Sequence, residues 1–135
     1  MNIEIREYEE KDLDSLNILL EEVYGLKKEI NTNNNTELVA VLDNNVVGYL
    51  TINKLYDSVK NIKYCYINYV CVKKEYRRYH IATILLQKVE EICRKEIISY
   101  IELTSNAKRI EAQYLYNKEG YIKRDTNVFR KVILW

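Results

Sequence analysis

Apolar and polar positions alternate, change period and alternate again along the chain, and each change marks an element. Over residues 2–8, Ile3 and Ile5 alternate with Glu4 and Arg6, the two-residue repeat of a strand. From Glu10 to Tyr24 the repeat becomes helical. Leu13, Leu16, Leu20 and Val23 share a face, acidic residues crowd the first turn, and Gly25 offers a stop. The stretch Lys27–Thr36, with Asn33-Asn34-Asn35, reads as a loop or a short surface helix. Two β-rich runs, Glu37–Leu42 and Val46–Lys54, flank Asp43-Asn44-Asn45, and asparagine tolerates the positive φ of a hairpin turn. A long strand is expected near Lys63–Val72, then a helix near Arg78–Lys95 with the stripe Ile81, Leu85, Val89 and Ile92. Ile97–Leu103 reads as a short buried strand. Ser105 or Asn106 can cap a helix that runs to Lys118 and ends at Gly120, and a closing strand is expected over Tyr121–Leu134.

The order β-α-β-β-β-α-β-α-β predicts an α/β (α+β) fold: a mixed, mostly antiparallel central sheet with helices on both faces. With no proline and three glycines the chain offers no linker, and 135 residues fit one domain, 1–135.

Composition narrows the function by exclusion. Hydrophobic residues make up 47% and charged residues 30%, the balance of a soluble globular protein. No apolar run approaches the roughly 20 residues that span a bilayer, and the N-terminus lacks a secretory signal, so a cytoplasmic protein without a membrane role is expected. The 21 basic and 20 acidic residues give a net charge of +1, which argues against nucleic acid as partner. Cys65, Cys71 and Cys93 lie in apolar segments and read as buried free thiols of a reducing compartment. The one histidine, His80, leaves too few ligands for a zinc site, and no nucleophile elbow surrounds it, so no metal is expected. What remains is chemistry through a bound cofactor with tyrosine or carboxylate groups, or no chemistry.

Two segments could carry it. In Val70-Cys71-Val72-Lys73-Lys74-Glu75-Tyr76-Arg77-Arg78-Tyr79-His80-Ile81-Ala82-Thr83 a buried strand runs through a basic turn into an amphipathic helix. The first-turn amides of such a helix have no intrahelical partner and attract anions, and Arg77 and Arg78 add bidentate phosphate donors. Two cations at a helix start oppose its dipole, so the turn is either an anion site or a solvated basic loop. In Leu103–Tyr121 a strand gives way to a helix in which small Ala112 lies one turn before Tyr116, on the same face.

Together the two segments resemble the GNAT superfamily of N-acetyltransferases. Its phosphate-loop signature, Arg/Gln-x-x-Gly-x-Gly/Ala, is matched by Arg77-x-x-His80-x-Ala82 after Glu75-Tyr76. Its later pattern is matched by Ala112, Leu115, Tyr116, Gly120 and Tyr121. The resemblance covers essentially the whole chain and departs at His80, which stands where the family has its first loop glycine. It implies acetyl-CoA as cofactor and transfer of an acetyl group to a primary amine, of a small molecule or a protein, by direct attack in a ternary complex. The alternative it allows is a catalytically weak acyl-CoA-binding or regulatory module.

The cofactor-binding residues implied are Val70, Cys71 and Val72, paired with the pantetheine arm, and Arg77, Arg78, Tyr79, His80, Ile81, Ala82 and Thr83 at the diphosphate, with Asn106 and Arg109. Arg109 either binds phosphate or faces solvent. Tyr116 matches the position of the acid that protonates the leaving thiolate. Asn68 stands where a glutamate base is common, which leaves Glu102 or Glu37 as the substitute. The acceptor site is implied over Tyr24–Glu37 and Tyr49–Asn61. A homodimer through the C-terminal strand is compatible with its apolar residues.

Overall fold

Period-two and helical stretches become elements in the order expected, with one exception at the end. The computed structural model describes residues 1–30 and 35–134. The strands are β1 (Glu4–Glu7), β2 (Thr36–Leu42), β3 (Asn45–Asp57), β4 (Ile62–Val72) and β5 (Ile98–Leu103), and the helices are α1 (Leu13–Tyr24), α2 (Ile81–Glu96) and α3 (Ile110–Lys118). The strands lie side by side in chain order, antiparallel from β1 to β4 and parallel between β4 and β5. Of the loop expected over Lys27–Thr36, residues 31–34 lie outside the described residues, and Thr36 already belongs to β2.

Residues Met1–Thr104 form one compact unit and the residues from Ser105 a second. In the first, side-chain alternation assigns the two helices to opposite faces of the sheet. Leu16, Leu19 and Leu20 of α1 pack with Val39, Tyr49 and Cys71. Ile81 and Leu85 of α2 pack against Ala40 and Gly48, the neighbours of Val39 and Tyr49 in sequence and so on the other face. A Cβ on Gly48 would stand 2.8 Å from Ile81 Cγ2, so this glycine lets α2 lie close on the sheet. Each buried leucine contributes roughly 1.5–3 kcal/mol.

The start of α1 is tied to β1 by charge. Asp12 is buried, and its two carboxylate oxygens accept from Arg6 Nη1 and Nη2, each at 2.8 Å. The Glu9 amide also donates to Asp12, at 2.8 Å. These bonds, Arg6 first, hold the carboxyl below its ordinary pKa against the effect of burial.

Three expectations are corrected. Helix α2 begins at Ile81 and not at Arg78, because Arg78 (φ 76°) and His80 (φ 60°) adopt left-handed backbone that breaks the helix. Helix α3 begins at Ile110 with Arg109 before it, so neither Ser105 nor Asn106 is its cap. Asn106 instead closes the preceding turn, accepting from the Lys108 amide at 2.9 Å and the Arg109 amide at 2.9 Å. The closing strand over Tyr121–Leu134 does not form. Its run Lys123-Arg124-Asp125-Thr126-Asn127 breaks the alternation, and Ile122, Phe129 and Leu134 stay exposed. β-Propensity alone, without a face to bury, sets no register.

Candidate active site

Strands β4 and β5 stay paired only as far as Ile67 and Leu103, and β4 continues to Val72 against β3 alone. Where they part, β4 carries a bulge. The register against β3 shifts between Tyr49 and Thr51, and Tyr69 sits at φ 58°. Beyond the bulge Val72 lies opposite Gly48, and the Lys73 amide donates to Val47 O at 2.8 Å. That bond makes Gly48 and Val72 a non-hydrogen-bonded pair, so the N–H and C=O of Val72, and by alternation of Val70, point away from β3. The edge left by β5 is therefore a row of outward-facing backbone groups. Tyr24 Oη donates to Val70 O at 3.1 Å and Arg77 Nε to Val72 O at 3.3 Å. Cys71 is paired with Tyr49 on the inner side and its thiol is buried, which suits packing and not nucleophilic attack.

After β4 the chain makes a 3₁₀ turn, Lys74–Tyr76, and reaches α2 through Arg77, Arg78, Tyr79 and His80, all exposed. The first intrahelical bond runs from the Ile84 amide to His80 O, at 3.0 Å. The amides of Ile81, Ala82 and Thr83 precede it and have no helical acceptor. No side chain caps them, and the first turn holds no acid. His80 answers the question its position raised. The site requires φ near +60°, which glycine adopts freely and histidine adopts at a cost of roughly 1–2 kcal/mol. Histidine is among the residues enriched there, and that was the available signal.

On the α1 face a cleft of about 280 Å³ opens beside the bulge. Its floor includes Glu37, Thr51 and Asn68, which lie opposite one another on β2, β3 and β4 and so form one transverse row. Glu37 accepts from Tyr49 Oη and lies 3.4 Å from Lys28 Nζ. Burial and then the Glu37 hydrogen bond raise the Tyr49 pKa, so this tyrosine stays a donor. Glu102 is the register partner of Tyr66 on β5 and is not among the residues lining the cleft. Tyr24, Lys28 and Tyr49 fall within the segments implied for the acceptor site, but no role for any one of them can be read from the sequence. Each of thirteen tyrosines is uninformative alone, and only the strand register brings these residues together.

In the second unit Arg109 precedes α3, Ala112 is half-buried, and Tyr116 is buried. The ring of Tyr116 meets Tyr121 edge-on at 5.9 Å, and the Tyr121 amide closes the helix on Tyr116 O at 2.9 Å. Gly120, at φ 91°, makes that reversal possible. Among the described residues no three His, Cys, Asp or Glu side chains gather as a metal site, and no helix is long and apolar enough to cross a membrane. Cys65, Cys71 and Cys93 are buried thiols outside any disulfide among the described residues, and burial pushes Cys65 up to about 12.

A mixed sheet that parts at a bulge, next to an uncapped and basic helix start, defines the acetyltransferase class of α/β protein. The sequence matches the Acetyltransferase (GNAT) family over residues 1–121, and the chain belongs to that family. It is an N-acetyltransferase. No curated protein matches its sequence. Among solved structures it is similar to an aminoglycoside acetyltransferase from an uncultured soil metagenomic sample, solved with trehalose (21% identity, TM-score 0.82, covering 98% of this chain and 97% of that one). It is also similar to the ribosomal-protein-alanine N-acetyltransferase of Brucella melitensis biovar Abortus 2308 (16% identity, TM-score 0.83, 98% and 100%). A transcriptional regulator from Bacillus halodurans C-125 shares the fold as well (22% identity, TM-score 0.84, 98% and 100%). At these identities the likeness concerns the fold.

Proposed function

We propose that residues 1–135 act as one acetyl-CoA-dependent domain that acetylates a primary amine by direct attack within a ternary complex. The observation that carries this reading is the junction of the open β4 edge with the start of α2. Three unshared amides, two arginines and no acid make a cradle suited to a diphosphate, and the adjoining backbone suits an amide-bearing arm. Acetyl-CoA supplies the acetyl group as an activated thioester.

Ile81, Ala82 and Thr83 amides with Arg77 and Arg78 bind the diphosphate, flanked by Tyr79 and His80. Asn106 and Arg109 are assigned by family position. Val70 and Val72, whose backbone faces outward, pair with the pantetheine arm, while Cys71 serves by packing. The Val72 amide donates to the carbonyl oxygen on which charge develops. A primary amine arrives protonated and must lose one proton before its nitrogen bonds the acetyl carbon. Asn68 cannot accept that proton but can hold a water, and the row through Thr51 leads to Glu37. We therefore assign the base role to Glu37 in preference to Glu102. As the C–S bond breaks, Tyr116 protonates the thiolate, by its family position.

Isothermal titration with acetyl-CoA tests the cradle, and a folded sample that takes up none would overturn the reading. Tyr116→Phe should lower turnover by about 10²–10⁴-fold with cofactor affinity nearly unchanged, measured by thiol release. Asn68 and His80 favour a second reading, a weakly catalytic acyl-CoA-binding module. It predicts binding without thiol release over a broad amine panel.

A further inference from the structure

Resting on the acetyltransferase reading, we propose that the acceptor is a small primary amine carrying one anionic group, carboxylate or phosphate, read by Lys27 beside the Lys28–Glu37 pair. The charged residues lining the cleft are Lys27, Lys28 and Glu37, a sum of +1. Its one carboxylate is already engaged, by Tyr49 Oη and by Lys28 Nζ at 3.4 Å.

Lys28 is not a side chain that swings away cheaply. Asn17 of α1 holds both its backbone groups, accepting from the Lys28 amide at 2.7 Å and donating to Lys28 O at 3.0 Å. Its side chain is 10% exposed, and the ammonium lies 5.0 Å from the centre of the Tyr8 ring and donates to Glu29 O at 3.4 Å. Lys27 is 71% exposed and lies 3.8 Å from the exposed Glu21, a pair worth little in water.

A polycation such as an aminoglycoside would meet two lysines and a carboxylate that has its partner. A molecule with one anion is complementary to the lysine end. The amine belongs at the other end, beside the bulge. There Asn53 Oδ1 lines the cleft, buried and with no hydrogen-bond partner among the described residues, and offers an acceptor to an N–H. Glu37 and Asn68 are two strand spacings apart, about 10 Å, so a short chain separates the two groups.

The test is thiol-release kinetics at saturating acetyl-CoA with 6-aminohexanoate, its amide, 1,6-diaminohexane, O-phosphoethanolamine and kanamycin. The acids should exceed the diamine and kanamycin by about tenfold in kcat/KM, chiefly through KM, with the amide between them and the preference shrinking in high salt. Lys27→Gln should lower the acid preference about threefold, and Lys28→Met, which uncovers Glu37, should bring the diamine level with the acid. Lys27 is a surface residue, so its variant keeps the test valid if Lys28→Met does not fold. Equal rates for acid and amide, or a faster diamine or kanamycin, would overturn the proposal. So would acetyl-CoA binding in a parallel titration with no turnover of the acids, and that result leaves the cofactor reading intact. Absence of acetyl-CoA binding overturns the cofactor reading, and this proposal with it.

Discussion

The two long helices begin in opposite ways. The start of α1 is closed from within. Asp12 is buried, its oxygens are used by Arg6 and the Glu9 amide, and the segment before it is rich in acid. Neither helix has a side-chain cap bond, but the start of α2 also has no acid and carries two arginines upstream, behind a histidine held in left-handed backbone. Both starts present unshared amides. One satisfies its electrostatics with its own sequence, and the other leaves them unmet, which is what the proposed cofactor cradle rests on.

The largest effect should come from breaking the closed start. Arg6→Met leaves the Asp12 charge buried without its main partner and should cost about 3–5 kcal/mol, read by urea unfolding at neutral pH. The same pair sets an acid dependence. Because Asp12 titrates below the ordinary value near 3.9 in the folded chain, its contribution is complete above that value. It is lost as pH falls through the lower folded pKa. Arg6→Met should flatten this acid limb, and an unchanged limb would remove Asp12 as its source.

Closing the open start should separate stability from binding. Thr83→Glu places an acid in the first turn of α2. It should weaken acetyl-CoA by about 100-fold in titration while raising stability by about 0.3–1 kcal/mol. A loss of both would mean that Thr83 is a packing residue. The smallest effect is expected for His80→Gly, which removes the left-handed cost against a gain in unfolded-chain entropy, for a net of about 1 kcal/mol or less. Acetyl-CoA should bind as well or better. Weaker binding would show that the imidazole makes contact with it.

What could be read from the sequence divides along the same line. Local patterns were legible: the α1 stripe with its Gly25 stop, the hairpin at Asp43-Asn44-Asn45, and the strand–turn–helix from Val70 to Thr83 that the cradle occupies. That turn is continuous in the chain, so its chemistry shows in adjacent letters. The sequence pattern starts α2 three residues early because Arg78 is a good helix former whose backbone is set by the turn and not by propensity. The cleft was far less legible. Glu37, Tyr49 and Asn68 meet only after three strands have paired in register, and Lys28 joins them from the segment after α1. The Tyr121–Leu134 tail has strand composition, yet among the described residues no strand forms there, and composition alone could not reveal that.

Gly48 gives the cradle a hidden dependence. It lies under the first turn of α2, where Ile81 Cγ2 would come within 2.8 Å of any added Cβ. A methyl group there would wedge the helix off its seat and carry its three unshared amides with it. Routine thermostabilisation by filling strand glycines would at this position displace the proposed cradle from beneath.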